Sequence, residues 1–187
     1  MMNWPNFFTL IRFVAIIPII GLFYVGDAWA MQLAFGLYAV ASISDWLDGF
    51  LARKLQQFTL IGKVMDSIGD KLLVASTLVM LVGFGYFKGW QILAAAIMVM
   101  RELLISGLRE FLAPLNVPLP ITPLARWKAT IQMVALGFFI ALGGWPILAT
   151  QTIVMLAANL VLLAAVALTI ITGTGYCRQA WAVLKKG

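Results

Sequence analysis

Histidine is absent from the 187 residues of this chain, and cysteine occurs once, as Cys177. Without histidine the commonest zinc ligand and the commonest general base are missing, and one cysteine cannot close an internal disulfide. Zinc sites, Ser-His-Asp triads and Cys-His pairs are therefore excluded. Charge is also scarce: 11% of residues are charged, where a soluble domain carries about 25%. What replaces it is apolar, with 63% hydrophobic residues and a mean hydropathy of +1.01. That balance argues against a water-soluble globule. Acids are the rarest charged class, seven against 13 lysines and arginines, for a net charge of +6. In so apolar a chain this excess points to cytoplasmic anchors and anionic substrates rather than to nucleic acid. The first apolar run lacks a small-residue cleavage site and continues to Tyr24, so no cleavable signal peptide is expected.

Crossing a bilayer takes about 20 largely apolar residues per helix. Interruptions in apolarity divide the chain into six such spans, at about Asn6 to Val25, Met31 to Leu51, Leu60 to Gly83, Trp90 to Leu112, Leu124 to Leu142 and Ile147 to Thr172. The expectation is an all-α, polytopic membrane protein of six transmembrane helices, forming a single domain over residues 1–187. An even number of spans puts both termini on one side. The first, third and fifth connections carry only Lys88 as a cation. The second carries Arg53 and Lys54, the fourth is flanked by Arg109, Arg126 and Lys128, and the tail holds Arg178, Lys185 and Lys186. The positive-inside rule then places both termini in the cytoplasm. Trp29, Trp90, Trp127, Trp145 and Trp181 fall near span ends, as an interfacial aromatic belt requires.

Four of the seven acids, Asp45, Asp48, Asp66 and Asp70, lie within 26 residues across the end of the second span and the start of the third. An ionised carboxylate near the bilayer centre costs about 2.5 to 3.5 kcal/mol on insertion scales, so four of them need compensation. Divalent cations supply it. On helices, Asp45 and Asp48 project about 60° apart and Asp66 and Asp70 about 40° apart, so each pair shares a face. Two antiparallel helices joined at Arg53 to Thr59 can bring those faces together as an all-oxygen donor set suited to Mg2+ or Mn2+. Gly49 and Ala52 follow the first pair and Gly62 precedes the second, leaving a hollow beside the acids. Taken alone, these small residues read as close helix packing, and Arg53 alone reads as a positive-inside anchor; in combination with the acids they read as a site.

Written with its spacings, the stretch is Asp45-x2-Asp48-Gly49-x2-Ala52-Arg53-x8-Gly62-x3-Asp66-x3-Asp70. It resembles the signature of the CDP-alcohol phosphotransferase family at all eight positions. The resemblance implies a six-helix membrane domain, usually homodimeric, whose cytoplasm-facing site holds two divalent cations, Mg2+ or Mn2+. By the same resemblance Asp45, Asp48, Asp66 and Asp70 are the metal ligands, and Asp70 is also the general base. Gly49, Ala52 and Gly62 make room for the cytidine end of the CDP-linked donor, and Arg53 meets its phosphates. Asp66-Ser67-Ile68-Gly69-Asp70-Lys71 departs from the Asp-Pro-x-Ala-Asp-Lys of many members, a change that touches packing more than the ligands.

Three further stretches narrow the acceptor. Arg101 to Glu110 in the fourth span, Lys128-x-Thr130-x-Gln132-Met133 in the fifth and Asn6-x2-Thr9-x2-Arg12 in the first are similar to bacterial members that use CDP-diacylglycerol and glycerol 3-phosphate in the inner, cytoplasmic membrane. On that resemblance Thr9 and Arg12 contact donor phosphates. Read physically, Glu102, Ser106 and Arg109 share a helix face, with Arg101 about 80° from Arg109. Arg101, Arg109 and Lys128 form a candidate cationic pocket for a phosphate that belongs to the acceptor. The opposing reading has Glu102 and Glu110 neutralising the arginines as ion pairs between helices. Arg12 has its own alternative, snorkelling to the membrane interface. A different class of function, a divalent-cation transporter, would need acids along a path. Here four cluster near one membrane face, and none lies between Glu110 and the C-terminus.

Overall fold

The computed structural model describes the backbone of residues 4–55, 60–114 and 122–185, and their side chains apart from 4–11, 45–55, 60–64, 66–67 and 183–184. All regular structure among the described residues is helical: α1 (Trp4–Val25), α2 (Ala28–Leu55), α3 (Leu60–Gly83), α4 (Trp90–Leu112), α5 (Pro123–Gly144), α6 (Pro146–Ala149) and α7 (Thr152–Leu184). Six of these run for 22 to 33 residues, which at about 1.5 Å per residue equals or exceeds the ~30 Å of a hydrocarbon core. Three regions among the described residues are both long and apolar enough to cross a membrane: Trp90–Leu112, Pro123–Gly144 and Thr152–Ala182.

The third and fourth expected spans coincide with α3 and α4 residue for residue, and the others differ at their ends. The largest difference is the last. Gly143 to Pro146 does break the helical run, but a single turn, α6, follows it. The Thr150 hydroxyl then donates to the carbonyl of Ile147 at 2.8 Å, closing that turn before α7 begins. At its other end α7 continues twelve residues beyond Thr172, to Leu184. Helix α5 starts on a Thr-Pro pair. Thr122 Oγ1 accepts the Ala125 N–H at 3.2 Å as an N-cap, and Pro123 sits where no N–H is needed.

The chain forms two compact units. The first comprises Met1–Phe87 and Leu136–Met155, and the second comprises Lys88–Ala135 and Leu156–Gly187. In the first, α1 packs against both α2 and α3. Its core includes Phe23, Met31, Tyr38, Leu73 and Leu81, with Phe87 and Phe139 in an edge-to-face pair at 4.7 Å. Gly144 permits a close approach there: a Cβ would lie 2.9 Å from the backbone nitrogen of Gln32, whose side-chain amide donates to the Gly144 carbonyl at 2.9 Å. In the second unit, Gln91 accepts the Lys88 N–H at 2.8 Å and donates to Asn159, linking α4 to α7.

The exterior differs from that of a protein in water. Leu93, Met100 and Leu103 on α4 and Ile153, Leu156 and Leu160 on α7 are exposed. Arg12, Lys128, Gln132, Thr169 and Thr172 are buried. Large apolar side chains left on the outside, with charged and polar ones buried among the apolar core, suit hydrocarbon as the solvent. This is an all-α membrane protein.

Candidate active site

Helix α2 runs unbroken through Asp45 and Asp48, and α3 through Asp66 and Asp70. Their three- and four-residue separations are thus helical spacings. The side chains of Thr9, Asp45, Asp48, Gly49, Ala52, Arg53, Gly62 and Asp66 lie outside the described residues. Asp70 is described, and its carboxylate is ion-paired with the guanidinium of Arg12 on α1. Arg12 is 0% exposed, so it points inward and does not snorkel. Gly69 lies beside this pair. A Cβ there would lie 3.4 Å from the Phe13 ring and 3.5 Å from Arg12 Cδ, so the arginine stem runs close along the backbone of α3. The ionisable donors available on α2 and α3 are carboxylates, with no imidazole and no thiol. That chemistry fits a hard divalent cation. Among the described residues alone, no group of three or more potential ligands assembles.

The second constellation lies within the second compact unit. Glu102 on α4 accepts from Arg101 Nη1 at 3.1 Å and is ion-paired with Lys128 of α5. Glu102 thus neutralises Arg101 within α4, and its pair between helices is with Lys128 rather than with an arginine. Arg109 and Glu110 have no ion-pair partner among the described residues. Arg101 and Lys128 share one carboxylate, and with Arg109 beside Arg101 at the Tyr176 ring the cluster carries a net of two positive charges in largely buried surroundings. Lys128 is only 4% exposed. The Nε atoms of Arg101 and Arg109 are buried without a hydrogen-bond partner among the described residues. Buried donors left unpaired cost free energy, and a cluster with two of them and a cationic excess is suited to receive an anion.

Several residues of this cluster are not among the pocket residues expected from the sequence. Glu102 stands at its centre. Arg101 Nη2 also donates to Thr172 Oγ1 at 3.2 Å, and the guanidinium carbons of Arg101 and Arg109 lie 5.7 and 5.4 Å from the ring centroid of Tyr176. Gln132, one turn beyond Lys128, is buried with neither amide atom paired among the described residues. The available signal was a polar stripe. Thr169, Thr172 and Tyr176 recur at spacings of three and four along α7, and all three are buried. Ending the last span at Thr172 cut that stripe short.

Residues 2–175 match the family described as CDP-alcohol phosphatidyltransferase. Relatives include a Rickettsia typhi protein named CDP-diacylglycerol-glycerol-3-phosphate 3-phosphatidyltransferase, 39% identical over 178 residues that cover 94% of this chain and 96% of the relative. A Pseudomonas fluorescens protein of the same name is 40% identical over 188 residues, covering 98% and 93%. One from Cereibacter sphaeroides, also so named, is 39% identical over 138 residues. That match covers 72% of this chain and 62% of the relative, about three fifths of its length.

Proposed function

The chain belongs to the CDP-alcohol phosphatidyltransferase family, and from that premise we propose that it transfers the phosphatidyl group of CDP-diacylglycerol to glycerol 3-phosphate. The products are phosphatidylglycerophosphate and CMP, which makes the protein a phosphatidylglycerophosphate synthase. The observation that carries this reading is identity near 40% to relatives of that name along more than nine tenths of both chains. The family match crosses both compact units, which supports one catalytic domain over the whole chain. In this reading the protein is a homodimer of six-span subunits in a bacterial cytoplasmic membrane. Its termini and its site face the cytoplasm, in keeping with the distribution of lysine and arginine between the loops.

The donor reaches the site from the lipid, its cytidine end against Gly49, Ala52 and Gly62 and its phosphates met by Arg53, Thr9 and Arg12. Metal dependence is general in the family, and two divalent cations, Mg2+ or Mn2+, held by Asp45, Asp48, Asp66 and Asp70 neutralise diphosphate charge when bound. Arg101, Arg109 and Lys128 hold the phosphate of glycerol 3-phosphate. The net charge of their cluster and its unpaired Nε donors support a phosphorylated acceptor over serine or plain inositol. An acceptor hydroxyl oxygen attacks the phosphorus that bears diacylglycerol. The bond from that phosphorus to the oxygen of the CMP phosphate breaks, CMP leaves with the electron pair, and Asp70 takes the hydroxyl proton. No covalent enzyme intermediate is needed.

The test is CMP release by the purified protein in detergent with CDP-diacylglycerol, with Mg2+, with Mn2+ and with a chelator. Glycerol 3-phosphate is compared with inositol phosphate, serine and phosphatidylglycerol. Release that requires both a metal and glycerol 3-phosphate is the expected result. Release with another acceptor would overturn the acceptor pocket while keeping the metal chemistry.

A further inference from the structure

Tyr176 sits on the last third of α7 with its ring buried. Arg101 and Arg109 leave α4 eight residues apart, about 12 Å along the helix axis. Yet their guanidinium carbons come to 5.7 and 5.4 Å from the centroid of this one ring. Two like charges do not converge unaided, and the electron-rich ring offsets part of their repulsion. The phenol oxygen is engaged as well, accepting the Thr122 N–H at 3.3 Å. Thr122 caps the helix that carries Lys128 six residues later. One side chain therefore links the two arginines of α4 to the start of α5.

The same face of α7 secures Arg101 twice more. Thr172, one turn before Tyr176, accepts from its Nη2 at 3.2 Å. At Gly173 a Cβ would lie 3.2 Å from Arg101 Cγ, tighter than ordinary contact, so the missing side chain lets the helix run against the arginine stem. These contacts use the ring face and Nη2 and leave the buried Nε donors of both arginines unpaired among the described residues. The guanidinium planes are held while hydrogen-bonding capacity remains for a ligand.

We infer that Tyr176, seated by Thr172 and Gly173, is a positioning residue that pre-sets Arg101 and Arg109 for the phosphate monoester of the acceptor. The inference rests on the reading of Arg101, Arg109 and Lys128 as the acceptor-phosphate pocket. Its physical content is preorganisation: long, rotamer-rich side chains are ordered on folding, so less freedom is lost when the anion binds.

The test measures KM for glycerol 3-phosphate and for CDP-diacylglycerol separately, by CMP release from the full-length protein. The variants are Tyr176→Phe, Tyr176→Leu and Gly173→Ala, with Arg109→Ala and Lys128→Ala as references. Tyr176→Phe keeps the ring face and is expected within about twofold of the parent. Tyr176→Leu is expected to raise the glycerol 3-phosphate KM by about tenfold with the donor KM unchanged. An unchanged acceptor KM in Tyr176→Leu, or an equal rise in both KM values, overturns the inference. Should Tyr176→Leu fail to fold, Gly173→Ala decides. A rise of about threefold in acceptor KM alone supports the inference, and no rise overturns it. If Arg109→Ala and Lys128→Ala also leave the acceptor KM unchanged, the pocket reading itself falls. If only those two variants raise it, the pocket stands and the role of Tyr176 does not.

Discussion

The carboxylate region of α2 and α3 and the cationic cluster of α4, α5 and α7 are built in opposite ways. The first occupies 26 consecutive residues, with its spacings set by two helices and one short connection. The second draws on Arg101, Glu102, Arg109, Lys128, Thr172 and Tyr176, spread over three helices. Their chemistry differs in the same way. Carboxylates on two adjacent helices can be compensated by ions from solution, so the region needs few protein partners. Cations buried in an apolar chain need an internal counter-ion and a surface to rest on, and these come from distant parts of the sequence. A motif search therefore finds the first kind of site and overlooks much of the second.

The contrast can be broken most forcefully at Asp70, the described member of the carboxylate set. Asp70→Ala is expected to lower CMP release by about a thousandfold or more while leaving a membrane-inserted, folded protein. Turnover near that of the parent would remove Asp70 from the reaction. Arg12→Ala comes next. It strips Asp70 of a buried partner, so a loss of about a hundredfold in transfer is expected, with a drop in thermal stability of up to about 3 kcal/mol. Adding Asp70→Asn to Arg12→Ala is expected to recover stability without activity, separating the structural contribution of the pair from the chemical one. Persistent instability in the double variant would show that Arg12 acts through packing instead.

In the cationic cluster the expected losses are smaller and confined to one substrate. Arg109→Ala or Lys128→Ala raises the KM for glycerol 3-phosphate by roughly ten- to a hundredfold, the range of one charge-assisted hydrogen bond, and spares the donor KM. A change in the donor KM of similar size would erase the distinction between the two regions. Smallest of all is Gly69→Ala. Its new Cβ would meet Phe13 at 3.4 Å and Arg12 at 3.5 Å, contacts that small shifts accommodate. Activity within about twofold of the parent is expected. A larger loss would mean that the Arg12–Asp70 pair tolerates no displacement.

Legibility in the sequence followed the range of the interactions involved. The limits of α3 and α4 could be read because glycines and polar residues interrupt the apolar runs where the helices stop. The end of α7 could not be, because Thr174, Tyr176, Arg178 and Gln179 lower the local apolarity without disturbing backbone hydrogen bonding. A helix ends where its hydrogen bonds end, and a span is only the part of it that matches the lipid. The inward course of Arg12 was likewise open in the sequence, since one arginine near a helix end satisfies either an interface or a buried carboxylate. Only the packing of α1 against α3 selects the carboxylate.

By itself the sequence determined the solvent, the helical class and the family signature, because each depends on composition or on spacings within one or two helices. It also determined which side chains could serve as ligands, since with no histidine and one cysteine the acids had little competition. The tertiary structure decided which distant groups meet: Arg12 with Asp70, Lys128 with Glu102, and both α4 arginines with Tyr176. The physical reason is distance along the chain. Periodicity orders neighbours within a helix, whereas the pairing of charges between helices depends on how their apolar faces pack, and that packing juxtaposes residues dozens of positions apart.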